Sequence, residues 1–298
     1  MKYIFVNLKR FDVPPEMGGV NRLAPPGQWA AEIVCKVSAR LEKYPRDRAA
    51  FTFFFPEAHL AQAAAARAAA RGTSSLVIGC QGVHWEDIAP GANFGAFTAS
   101  RPAAAMAALG CRAVIIGHCE ERRALAAVLA EAGVSGDDAA AAINRLLTKE
   151  LAAARARGLD ILYCIGEKAE EQERRQEVLA AQIEALLSAG PCEAGGGTVI
   201  GYEPVWAIGP GKTPPDREYI EKIARFIKEK TGGATGSLGA YGSHGLPVVY
   251  GGGLKADNAA MLASIPEIDG GLIALTRFAG EVGFYPEEFL EIVELYLK

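Results

Sequence analysis

Short apolar runs recur along the chain, each about one helix from the next: Tyr3–Asn7, Ala50–Phe55, Leu76–Gly79, Ala113–Gly117, Ile161–Ile165, Thr198–Tyr202, Pro247–Tyr250 and Gly271–Leu275. Most are unbroken rather than alternating, as expected for parallel strands covered on both faces. Segments of helical periodicity lie between them: Gln28–Leu41, Glu57–Ala70, Asp137–Arg157, Glu167–Leu187, Asp216–Lys230, Asp257–Ala263 and Pro286–Leu297. The second is nearly all alanine, the strongest helix former. The last puts Phe289, Ile292, Val293 and Tyr296 on one stripe and Glu287, Glu288, Glu291 and Glu294 elsewhere, so it predicts an amphipathic helix.

Strand–helix alternation repeated about eight times implies an α/β fold with a parallel sheet, and eight units in one chain favour closure into a (β/α)8 barrel. No Pro/Ser-rich linker or sharp change of composition interrupts residues 1–298, which read as one domain. Pro191–Gly197 and the glycine-rich Gly232–Gly245 read as surface insertions.

Composition narrows the partners. The net charge is −4 and no run of Lys or Arg stands out, so a nucleic-acid surface or a polybasic membrane patch is not expected. An anionic small molecule needs only a few basic groups and backbone N–H donors, and stays open. The six cysteines, at 35, 80, 111, 119, 164 and 192, include no CxxC pair and read as reduced thiols. The N-terminal run Tyr3–Asn7 is too short for a signal peptide, and no apolar stretch approaches the roughly 20 residues that cross a bilayer. A cytoplasmic protein is expected. No His/Cys/Asp/Glu spacing suggests a metal, and no cofactor is expected. Gly209-Pro210-Gly211-Lys212-Thr213 fails as a phosphate-binding P-loop: the required first glycine falls at Trp206, and Pro214-Pro215 stands where a helix should begin.

In a barrel of this kind the active site forms at the C-terminal ends of the strands. The first run ends in Asn7-Leu8-Lys9, the fourth in Gly117-His118-Cys119-Glu120 and the sixth in Tyr202-Glu203-Pro204. The seventh and eighth end in Gly251-Gly252-Gly253 and Ala274-Leu275-Thr276-Arg277. Asn, Lys, His and Glu on one rim can remove a proton beside a carbonyl and stabilise the enediolate that results. His59, His84 and His244 have no such neighbours and read as structural.

Five segments resemble triosephosphate isomerase in identity and order: Gly95–Thr98, Gly117–Glu120, Cys164–Glu167, Tyr202–Gly209 and Tyr250–Gly252. The resemblance implies the TIM-barrel fold and the glycolytic and gluconeogenic interconversion of glyceraldehyde 3-phosphate and dihydroxyacetone phosphate, without cofactor. Glu203 would be the base and His118 a neutral electrophile, which is this family's known division of labour. Lys9 would supply positive charge, oriented by Asn7, with Glu120 a carboxylate beside Lys9 and His118. Gly209, Gly252 and Gly253 would join Asn7 and Lys9 in holding the phosphorylated sugar, and Pro204–Lys212 would close over it as a lid. The loop His84–Asn93, with Thr98 near its end, would dock into a partner subunit, making a homodimer.

The departures from the family pattern concentrate on the phosphate. Two adjacent glycines are expected after the eighth strand, where this chain has Ala274-Leu275; the usual serine is Gly253. Arg277 is either a compensating charged donor or an ordinary solvated arginine. Glu121 stands where an arginine is usual, and Ala279–Tyr285 is longer than a compact connection. Three functions therefore stay open: the triose isomerisation, an isomerisation of a longer sugar phosphate such as a tetrulose phosphate, and a barrel that binds a phosphorylated metabolite without turnover.

Overall fold

In the computed structural model, the residues described are 1–70, 75–191, 194–209, 211–232 and 245–298. Eight parallel strands close into a barrel: β1 (Lys2–Asn7), β2 (Ala49–Phe55), β3 (Leu76–Cys80), β4 (Ala113–Ile116), β5 (Asp160–Ile165), β6 (Thr198–Tyr202), β7 (Val248–Tyr250) and β8 (Gly270–Ile273). Each strand pairs with the next, and β1 also pairs with β8, Tyr3 opposite Gly270 and Val6 opposite Ile273. The helices are α1 (Pro26–Leu41), α2 (Leu60–Ala69), α3 (Ala103–Ala108), α4 (Cys119–Glu131), α5 (Gly136–Ala156), α6 (Arg175–Leu187), α7 (Arg217–Gly232), α8 (Ala259–Ala263) and α9 (Pro286–Tyr296). Proline opens α1 and α9, where its missing N–H would have had no helical partner.

The unbroken apolar strands serve two cores. Phe5, Phe54, Ile115, Leu162, Val199, Val249 and Leu272 fill the barrel, with the Phe5 and Phe54 rings stacked 5.8 Å apart. Their neighbours along the strands, among them Val6, Phe53, Phe55, Ile116 and Ile273, belong to the core that the helices also line. At about 1.5–3 kcal/mol for each large side chain buried, these two cores fix the frame on which the strand ends sit.

The eight expected strands are all present, most within one residue of the pattern. Two helices escaped it. α3 is only six residues long, and α4 has no fully buried residue, since Leu125, Ala126 and Leu129 pack only partly against the core. The expected helices at Glu57–Ala70 and Glu167–Leu187 each begin with a 3-10 turn, Glu57–His59 and Ala169–Arg174. β8 stops at Ile273, so Ala274 and Leu275 lie beyond the strand. Thr276–Tyr285 folds back on itself, with Arg277 bridged antiparallel to Gly283 and the Tyr285 N–H donated to Thr276 Oγ1 at 2.8 Å. α7 runs into the first residue of the expected Gly232–Gly245 insertion, and 233–244 lie outside the described residues, as does Cys192 of Pro191–Gly197. Among the described residues, five cysteines are free and no helix is long and apolar enough to cross a membrane.

Candidate active site

The strand ends bring Asn7, Lys9, His118, Glu120 and Glu203 to one side of the barrel mouth. β4 leads into Gly117, whose φ of +77° suits glycine; a Cβ there would stand 2.7 Å from the Cys164 carbonyl oxygen. His118 then caps α4. Its Nδ1 accepts the Glu120 N–H at 3.2 Å, which assigns the proton of a neutral ring to Nε2. That Nε2 faces Glu203 Oε1 at 3.3 Å.

Glu203 follows β6 and is only 2 % exposed. Its Oε2 accepts the Cys119 N–H, the first amide of α4, at 2.9 Å. Burial pushes its affinity for a proton up; His118, the Cys119 N–H and Lys9 pull the other way without cancelling the effect. Glu203 and His118 are thus fixed by the same helix terminus. Gly251 completes the fit, since a Cβ on it would come within 2.7 Å of Glu203 Cγ.

Lys9 has φ of +42°, a conformation that lysine rarely adopts. The Asn7 side chain holds it there by accepting the Lys9 N–H at 3.0 Å, and Asn7 is itself 5 % exposed. Gln81, just past β3, donates to Asn7 Oδ1 at 3.3 Å, to the Lys9 carbonyl at 3.0 Å and to the Phe54 carbonyl at 3.2 Å. The Lys9 ammonium meets Glu120 at 2.7 Å. Burial alone would raise Glu120, but Lys9 outweighs it and holds the carboxyl below its ordinary range.

The turn that carries His118 is braced from behind. Glu121 accepts the Gly117 N–H at 2.6 Å, and Arg122 Nε donates to the Gly117 carbonyl at 2.8 Å. Glu121 is in hydrogen-bonding contact with Glu150 of α5, with Arg101 and Arg122 nearby. Burial, then the negative charge of Glu121, pushes Glu150 up to about 9, so Glu150 is protonated at neutral pH. A cavity of about 530 Å³ is lined by Asn7, Lys9, His118, Glu121, Glu150 and Trp85 among others. Glu203 is not among its lining residues.

The segment expected to be a lid starts with a 3-10 turn, Val205–Ala207. Glu167, fully buried past β5, accepts from Trp206 Nε1 at 2.8 Å, Tyr202 Oη at 2.9 Å and Tyr219 Oη at 3.0 Å. This ties the root of the segment to β5, β6 and α7. Gly209 has φ of +124°, and Pro210 lies outside the described residues.

The sequence reading assigns no role to Gln81 or to Glu167, although Glu167 ends the Cys164–Glu167 segment. Both carry the signal used for the other residues, a polar side chain immediately past a barrel strand. Gly252 and Gly253 follow β7, one and two residues past the Gly251 that packs on Glu203, whereas Arg277 is not brought to the cluster: its guanidinium is bound to Glu288 of α9 and stacks on Tyr285 at 3.9 Å. His59 bonds Asp12 at 3.0 Å and packs on Trp29, a structural role. Among the described residues one group of possible metal ligands, His118, Cys119 and Glu203, lies within 4.8 Å. Burial and then Glu203 push the Cys119 thiol up to about 12, which leaves it protonated at neutral pH.

A closed (β/α)8 barrel with a buried carboxylate facing a histidine at its C-terminal mouth has the architecture of a barrel enzyme, and that pair is of a kind able to move a proton. The family model for triosephosphate isomerase matches residues 28–296. Curated relatives bearing that name include one from Nitrosomonas europaea, 34% identical over 200 residues (66% of this chain, 69% of the relative). Another, from Ralstonia nicotianae, is 33% identical over 265 residues, covering 88% of this chain and 90% of the relative. The chain belongs to the triosephosphate isomerase family, a family of aldose–ketose isomerases. The crystal structure of triosephosphate isomerase from Bartonella henselae superimposes with a TM-score of 0.66 over 100% of this chain and 99% of that one; at 23% identity it speaks for the fold alone.

Proposed function

We propose that the chain interconverts D-glyceraldehyde 3-phosphate and dihydroxyacetone phosphate. The observation that carries this reading is the Glu203 carboxylate, 2 % exposed, with Oε1 3.3 Å from His118 Nε2 and Oε2 held by the Cys119 N–H at 2.9 Å. Glu203 removes a proton from the carbon beside the carbonyl. The electron pair moves to form the enediol, and His118 Nε2–H donates to the carbonyl oxygen. Glu203 then returns its proton to the neighbouring carbon, and His118 recovers one from the adjacent hydroxyl, so the reaction is balanced without cofactor. Lys9 stabilises the developing negative charge, Asn7 holds Lys9, and Glu120 keeps the ammonium in place. Gly209, Gly252 and Gly253 offer backbone N–H groups to the phosphate, and Arg277 joins them only by giving up Glu288. The segment Pro204–Lys212 closes over the substrate and keeps water from the enediolate.

A second substrate has one observation in its favour. Ala274 and Leu275 carry side chains past the end of β8, and the hairpin beyond them remodels that rim, changes suited to a longer sugar phosphate. We also take 1–298 as one domain of a cytoplasmic homodimer. Trp85 and Phe94 on the loop after β3 are exposed, Phe94 by 85 %, and the cavity beside Lys9 is open to receive such a loop from a second copy.

The test is turnover of glyceraldehyde 3-phosphate, followed through a coupled dehydrogenase, with a tetrulose phosphate in parallel and Glu203→Gln as control. Turnover of the triose with kcat/KM of about 10⁶ M⁻¹s⁻¹ or above supports the first substrate. Turnover of only the longer sugar transfers the same chemistry to the second. A Glu203→Gln variant with near-full activity would remove the base assignment.

A further inference from the structure

The cations around the barrel mouth are mostly neutralised. Lys9 is bonded to Glu120, Arg10 to Asp12 and Arg277 to Glu288, while Lys212 is exposed on the segment after β6. Lys255 differs from all of them. It is half-buried, and among the described residues its ammonium has no carboxylate partner. Its backbone is fixed: the Lys255 N–H donates to Asn258 Oδ1 at 2.8 Å, and Asn258 Nδ2 donates to the Gly253 carbonyl at 2.9 Å.

This turn folds the lysine stem back over Gly253. Lys255 Cε lies 3.6 Å from the place a Cβ on Gly253 would occupy, and its Nζ lies 4.3 Å from the centroid of the Phe278 ring. Phe278 stands three residues beyond Leu275, and is 52 % exposed. The side chain therefore spans from the loop after β7 to the loop after β8. An ammonium drawn partly out of water loses hydration that a ring face returns only in part. A position of this kind is made whole by an anion.

We infer that Lys255, seated on Phe278, is a side-chain ligand for the phosphate group of the substrate, in the gap between the loops after β7 and β8. The inference rests on the proposed reaction for the identity of the substrate. It accounts for two departures together. Ala274 and Leu275 present side chains where bare backbone would let an oxyanion approach closely, and a long cation reaches such an anion from farther away. Gly253 supplies no hydroxyl donor, and the space it leaves open is where the lysine stem runs. Lysine suits this duty because its ammonium acts as a mobile point charge with three donors.

The experiment is a ³¹P NMR titration with inorganic phosphate of the full chain and of Lys255→Met, Lys255→Arg and Phe278→Ala, alongside triose kinetics. Lys255→Met is expected to weaken phosphate binding and raise KM by about tenfold or more, with kcat within about twofold. Lys255→Arg recovers most of the loss, and Phe278→Ala costs about threefold. Phosphate binding and KM unchanged in Lys255→Met overturn the inference, as does an unmodified chain that binds no phosphate. If phosphate binding depends on Lys255 but the triose is not turned over, the ligand stands and the proposed reaction falls. If the triose is turned over with KM and phosphate binding indifferent to Lys255, only the ligand falls.

Discussion

The two sides of the barrel mouth are built on different terms. On the side of β1, β4 and β6, each reactive group is held by named partners: Lys9 by Asn7 and Gln81, His118 by the first turn of α4, Glu203 by the Cys119 amide. On the side of β7 and β8, glycines give way to Ala274 and Leu275, Arg277 is engaged with Glu288, and one ammonium rests on an aromatic ring. Moving a proton tolerates little misplacement, since an error of about 1 Å can cost 10²-fold. Holding a charged phosphate can be done by several arrangements of donors. A chain can thus remodel the second side while keeping the first.

The largest test of that division is Glu203→Gln, expected to lower kcat by about 10³-fold or more while KM moves little. A fall confined to KM would erase the distinction between the sides. With the native glutamate, the acid limb of kcat/KM should lie above the ordinary carboxylate range, because burial raises Glu203 and the base must be ionised to act. Gln81→Ala should follow. It removes three hydrogen bonds around the strained Lys9 backbone and is expected to lower kcat/KM by about one to two orders of magnitude. Unchanged kinetics would show that Asn7 alone holds Lys9. Trp206→Phe keeps an aromatic ring and removes one donor to Glu167, so, with 204–212 closing as proposed, kcat should fall about tenfold through the loosened root of that segment. An effect on stability without one on kcat would make Glu167 purely structural.

The smallest effect concerns pH. Glu150 is held protonated up to about 9 in the folded chain, whereas it ionises in the ordinary carboxylate range when unfolded. Between those values the folded state carries the extra proton, so stability is full at low pH and falls as pH rises toward 9. Melting temperatures from pH 5 to 9 should therefore decline more steeply for the unmodified chain than for Glu150→Gln. Parallel curves would show that Glu150 is not held protonated in the folded chain.

Where periodicity was strong, the sequence could be read almost to the residue. The eight strands are buried on both faces, and the register that closes the barrel puts Asn7, His118 and Glu203 at their ends. Legibility failed where burial is weak. α4 turns Leu125, Ala126 and Leu129 only partly inward and leaves Val128 70 % exposed, so it has little apolar stripe to detect. Gln81 and Glu167 were visible by the strand-end rule, but their partners come from distant segments and no local pattern announces them. The pairing of Arg277 with Glu288 and the perch of Lys255 depend on how 276–285 folds back, which composition does not dictate.

That exposed α4 has a kinetic side as well. His118 is its cap, and its first amide holds Glu203, so the helix and the His118–Glu203 pair begin at the same residues. A helix with so little buried surface opens readily from its ends, and each opening of the first turn would disassemble the pair. The hydrogen-exchange rates of the Cys119 and Glu120 amides are therefore a direct clock for how often the site exists, and a ligand that bridges His118 and Glu203 should slow both together.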